Sequence, residues 1–82
     1  MKGYGKRISE FRKASGMTQE QLGSEVGVTG VAIMRYEKEL REPSLEQFKR
    51  IARVLGCSVS ELIEEIDTVG ETQMTVGEKI QG

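Results

Sequence analysis

The 82-residue chain is 37% apolar and 30% charged with a net charge of −1, which sizes it for one small domain and leaves little room for an enzyme cleft. It has no histidine and a single cysteine, Cys57, so a histidine base, a His/Cys metal site and a disulfide within the chain are all excluded. Its charge is unevenly placed: residues 1–41 hold eight Lys/Arg against five Asp/Glu and residues 42–82 hold four against eight, a pattern that turns one face toward an anion and one away.

The spacing predicts a first helix over Tyr4 to Ser15, with Ile8 and Phe11 as its buried stripe and Gly16 as its stop. Lys6, Arg7, Arg12 and Lys13 decorate the rest of it. Thr18 with Gln21 forms a capping box, so a second helix begins at Gln19. Leu22 and Val26 share its inner face, and Gly27 stands where a left-handed backbone ends a helix without steric penalty. Gly23 inside that helix costs up to about 1 kcal/mol relative to alanine, which makes sense if another helix crosses close by. Val28 is placed to pack under the turn and Thr29 to cap a third helix. Only a tight turn joins the pair, as in a helix-turn-helix. At about 100° per residue, Ala32, Ile33 and Tyr36 fall on the core side of the third helix. Gly30, Val31, Met34, Arg35 and Lys38 fall on the other side.

A polar loop, KELREP, follows and ends at the single proline. Ser44 and Gln47 read as a second capping box, and Phe48, Ile51, Ala52 and Leu55 as one broad apolar face that Gly56 closes. Ser58 and Glu61 read as a third box, from which Val59, Leu62, Ile63 and Ile66 return to the core. With no alternating strand pattern, the expected fold is all-α, a five-helix bundle over residues 1–66. Residues 67–82 contain TVGE twice and lack an apolar stripe. They are expected to be a polar tail, flexible or ordered in a dimer. The longest apolar run, Val31 to Met34, is far short of a membrane span, and no signal-peptide apolar segment follows the basic Met1 to Arg7. Cys57 then reads as a small apolar residue of a cytoplasmic protein. No catalytic constellation, metal ligand set or cofactor motif is present, so no enzymatic activity and no cofactor are expected.

RISEFRKASGMTQEQLGSEVGV, then IMRYE, then REPSLEQFKRIARVLGCSVSELI, stand in the order and spacing of the Cro and phage-repressor (XRE-type) helix-turn-helix family, which the chain resembles from about Tyr4 to Glu65. The resemblance implies a role for several residues. Gln19 matches a glutamine that contacts phosphate, and an amide beside free N–H groups at a helix N-terminus suits a phosphate oxygen. Arg12 and Glu37 match a largely buried ion pair, which makes Arg12 structural. Arg41 matches a basic residue near the DNA backbone, and Thr29 a small hydroxyl residue that caps the recognition helix and touches phosphate or a base. Lys13 and Lys38 complete the expected backbone contacts. Where the family often carries Gln, Asn, Ser, Arg or Lys on the outward positions, this chain has Gly30, Val31 and Met34, with Arg35 the one base-pairing side chain. Arg35 suits guanine, and Val31 or Met34 a thymine methyl. Where the family commonly has glycine and then a basic residue after that helix, this chain has Glu39 and Leu40. An acid there is unfavourable near phosphate, and Leu40 suits a protein contact.

The expected function is therefore a sequence-specific regulator that binds double-stranded DNA as a homodimer, repressing by operator occupancy from the cytoplasm of a bacterium or as a phage product. No separate sensor domain is expected within these 82 residues. The alternative is a protein-interaction module of the same fold, antitoxin-like or a phage regulatory partner, that uses an apolar patch of Val31, Met34 and Leu40.

Overall fold

In a computed structural model, which describes residues 3–63, five helices follow one another: α1 (Tyr4–Ala14), α2 (Gln19–Val26), α3 (Gly30–Glu37), α4 (Leu45–Leu55) and α5 (Val59–Leu62). No strand occurs among the described residues. The boundaries follow from local chemistry. Thr18 and Gln21 make a reciprocal capping box at α2, with the Thr18 hydroxyl accepting from the Gln21 amide at 3.0 Å and the Gln21 side chain accepting from the Thr18 N–H at 2.8 Å. Ser58 and Glu61 repeat it at α5. Thr29 caps α3 by accepting from the Ala32 N–H at 3.1 Å.

At α4 only half of the expected box forms. Ser44 accepts from the Gln47 N–H at 3.1 Å, but the Gln47 side chain is buried and donates to the Val26 carbonyl at 3.4 Å. Tertiary packing against the end of α2 takes the amide away from its own helix terminus. A buried amide is stabilised by satisfying another buried polar atom, and the Val26 carbonyl is one of the orphans at a helix end.

The helix ends share one device. After α1, α2, α3 and α4 a single residue turns left-handed, and the next N–H reaches back five residues. The bonds are Met17 to Arg12 at 3.1 Å, Val28 to Gly23 at 2.8 Å, Leu40 to Arg35 at 2.8 Å and Cys57 to Ala52 at 2.9 Å. Gly16, Gly27 and Gly56 supply the turn three times, with φ of 73°, 83° and 74°. After α3 it is Glu39, at φ 58°, the one non-glycine with positive φ among the described residues.

Tyr4, Ile8, Leu22, Val26, Ile33, Tyr36, Phe48, Ile51, Ala52, Leu55 and Leu62 form the core. Each fully buried aliphatic side chain contributes about 1.5–3 kcal/mol. The expected stripe of α1 shifts toward its start: Ile8 is fully buried, Phe11 only half-buried, and Tyr4 takes a core place. The Tyr4 ring meets Phe48 edge-on with centroids 5.3 Å apart, and its hydroxyl donates to the Arg41 carbonyl at 3.2 Å. Burial, with Glu39 and Glu42 nearby, pushes the Tyr4 phenol above its ordinary pKa. Ala32 is half-buried beside the buried Ile33 and Tyr36. Val59 and Ile63 pack partly against the core around Leu62. The expectations for Ile66, the end of the domain at residue 66 and the tail 67–82 lie outside the described residues.

Candidate nucleic-acid interface

Two glycines bring α2 and α3 together. A Cβ on Gly23 would sit 2.7 Å from the Val28 carbonyl oxygen and 2.8 Å from the Thr29 carbonyl, so only glycine lets the turn lie against the middle of α2. A Cβ on Gly30 would sit 3.0 Å from Glu20 Cγ and 3.1 Å from Glu20 Cα. The first turns of α2 and α3 are thereby stacked, and an open groove of about 510 Å³ lies between them. Gln19 and Glu20 line it from α2, and Thr29, Gly30, Val31 and Met34 from the start of α3.

The outward face of α3 is stepped. Val31 is 53% exposed, Met34 is half-buried, and Arg35 and Lys38 are exposed. Gly30 presents backbone alone, with its Cα side against Glu20. Arg41 is exposed in the following loop, and Leu40 is 70% exposed. Lys13 is exposed in the last turn of α1 and does not line the groove.

Behind this face lies a polar network. Arg12 and Glu37 meet in a two-pronged ion pair, Nε to Oε2 at 2.6 Å and Nη2 to Oε1 at 3.2 Å, with side chains only 11% and 7% exposed. The remaining guanidinium prong donates to the Met17 carbonyl at 2.8 Å, which ties α1 to the loop before α2. Gln19 joins the same carboxylate, its amide nitrogen donating to Glu37 Oε1 at 3.0 Å. Glu37 thus holds the Gln19 amide in place through one N–H, and the second N–H of that amide is the donor left for a phosphate oxygen.

Two residues here were not singled out as partners from the sequence. Glu20 lines the groove, where its position next to Gln19 gave no signal of its proximity to Gly30. Glu39 stands in the loop where the resemblance implies an acid near phosphate. Instead its carboxylate accepts from the N–H groups of Gly3 at 2.7 Å and Gly5 at 3.1 Å, capping the start of α1. The positive end of a helix favours that negative charge, and α1 has no side-chain cap of its own. Gly5 permits the contact, since a Cβ there would collide with the Glu37 carbonyl and lie 2.9 Å from Glu39 Cγ.

A helix-turn-helix family model matches residues 8–62, which span α2, α3 and the helices that support them. The chain belongs to this helix-turn-helix family, of the Cro and phage-repressor type. Among its relatives, an uncharacterized helix-turn-helix-type transcriptional regulator of Methanothermobacter thermautotrophicus is 47% identical over 78% of this chain and 88% of its own length. The helix-turn-helix-type transcriptional regulator PuuR of Escherichia coli is 30% identical over 90% of this chain, which spans only 40% of PuuR. The P22 c2 repressor, solved with a synthetic operator, superposes with a TM-score of 0.71 at 35% identity, covering 76% of this chain and 94% of that one. The hydroxypropylphosphonic acid epoxidase from S. wedmorenis also superposes, with a TM-score of 0.68 at 33% identity, covering 73% of this chain and 32% of that one. No helix among the described residues is long and apolar enough to cross a membrane.

Proposed function

We propose that this helix-turn-helix chain is a sequence-specific, non-enzymatic regulator of transcription that binds double-stranded DNA. It represses by occupying an operator as a homodimer in the cytoplasm. The observation that carries the reading is the groove between the first turns of α2 and α3, with Arg35 exposed on α3 and Lys38 exposed at its C-cap. A helix presented in this way enters the major groove with its N-terminal residues at base edges. Gly30, Val31, Met34 and Arg35 then meet the bases. Gln19 and Thr29 at the helix starts, with Lys13, Lys38 and Arg41 around them, hold the sugar–phosphate backbone. Two copies place their α3 helices at half-sites about one turn of DNA apart.

The test is selection of bound sequences from a random duplex pool, followed by titration of the selected duplex. A two-fold-symmetric consensus and a single shifted species of two chains per duplex are expected. Arg35→Ala should weaken the selected site by about 1–3 kcal/mol and relax preference at one base pair per half-site. Absence of duplex binding at low salt overturns the reading.

One observation favours a second role. Leu40, 70% exposed, and Val31, 53% exposed, give this basic region apolar side chains suited to a protein partner. Val31→Asp with Leu40→Asp should then abolish a protein complex while the domain stays folded, and survival of the complex rules that role out.

A further inference from the structure

We propose that Glu20, a residue of α2, is a base reader. Across the bare backbone of Gly30 it presents a carboxylate to an exocyclic amine in the major groove, the N4 amine of cytosine or the N6 amine of adenine. The inference rests on the DNA-binding reading above and deepens it by adding a specificity-determining residue that lies outside α3.

Three observations meet at Glu20. Gly30 opens α3 without a side chain, and a Cβ there would sit 3.0 Å from Glu20 Cγ and 3.1 Å from Glu20 Cα. The Glu20 side chain therefore runs through the space in which a side chain at position 30 would begin. What the first residue of α3 lacks is supplied from α2. Glu20 is also the one charged residue lining the groove of about 510 Å³, and the α3 side chains beside it, Val31 and Met34, bring no N–H or O–H donor to pair with it. Finally, its carboxylate is uncommitted. Glu37, Glu39 and Glu61 each accept hydrogen bonds within the fold, whereas Glu20 is exposed and makes no hydrogen bond or ion pair among the described residues.

A carboxylate only accepts, which decides what it selects. In the major groove cytosine offers an amine and adenine an amine beside N7, while guanine and thymine turn O6 or O4 toward the same approach. The carboxylate binds the first two and repels the last two. Its charge is unfavourable beside phosphates, so it lowers affinity for every duplex and regains it only where an amine faces it. The positive ends of α2 and α3 both lie at this groove and offset part of that repulsion. The shared ligand is the exocyclic amine, and its two sources separate by experiment.

The full chain and Glu20→Ala, an exposed substitution that leaves the core intact, are each taken through selection from a random duplex pool. The parent should select cytosine or adenine at one position per half-site, and Glu20→Ala should relax that preference about ten-fold while keeping the rest of the consensus. Both proteins are then titrated against the selected duplex with that single amine removed, cytosine being exchanged for 2-pyrimidinone or adenine for purine. The parent should bind the altered duplex about ten-fold more weakly relative to Glu20→Ala, and the base at which this happens assigns the source. If Glu20→Ala gains affinity equally on all duplexes and keeps every base preference, Glu20 acts through charge alone, the reader is wrong and the DNA reading stands. A preference that changes while both proteins respond alike to amine removal overturns the reader as well. If neither protein binds a duplex at low salt, both readings fall.

Discussion

Glu39 shows how one residue answers two structural demands. The end of α3 requires a left-handed residue, which costs an L-amino acid about 1–2 kcal/mol and glycine nothing. The start of α1 requires an acceptor, and the Glu39 carboxylate takes the N–H groups of Gly3 and Gly5. The strain and the cap are separable by substitution. Glu39→Ala keeps the strain and loses the cap, so it should lower stability by about 2 kcal/mol. Glu39→Gly loses the cap and the strain together, and urea unfolding should find it about 1 kcal/mol more stable than the alanine variant. The Arg12–Glu37 pair poses a different problem. Both side chains are largely buried, so removing one leaves an uncompensated charge. Arg12→Ala should cost about 3–5 kcal/mol, whereas replacing both partners by Met and Leu should cost far less than either single change. A double-variant loss equal to the sum of the two single losses would show that the pair is not a unit.

At the scale of the elements, the α2–α3 pair is held by absence of side chains as much as by contact. Alanine is a better helix former than glycine by about 1 kcal/mol, so in an isolated α2 peptide Gly23→Ala should raise helicity. In the folded chain the same change places a methyl 2.7 Å from the Val28 carbonyl oxygen, a backbone atom that cannot step aside. The expected result is a loss of about 1–3 kcal/mol in urea or thermal unfolding. Gly16→Ala meets nothing within 4 Å and should lose only the left-handed preference. A Gly23 variant as stable as its parent would mean that α2 and α3 separate easily, and the groove with them. The Ser44–Gln47 pair belongs here too. Its sequence matches a capping box as well as Thr18–Gln21 does, but the buried carbonyl of Val26 offers the Gln47 amide a partner that local spacing cannot reveal.

Across the whole molecule, the proposed interface lies at the N-terminal end of α2, while Arg53 borders a separate groove at the other end of that helix with Val26 and Gly27. DNA affinity should therefore depend on position and not on total charge. Arg41→Ala should lower the salt slope of binding by about one released counterion, and Arg53→Ala should leave it unchanged. Measured slopes that fall equally would place the DNA elsewhere. The caps at Thr18, Thr29 and Ser58, the glycine stops at Gly16, Gly27 and Gly56, and the apolar spacing of α4 were legible in the chain because each acts within a few residues. They determine five helices in order, and with them the helix-turn-helix family. What the sequence could not determine is which polar groups find one another across helices. Tertiary structure alone decided that Glu39 caps α1, that Glu37 orients Gln19, that Gln47 turns to Val26 and that Glu20 closes over Gly30. A side chain's preference along its own helix is worth about 1 kcal/mol or less, whereas a buried donor or acceptor left unpaired costs more, so the partner brought near by packing prevails.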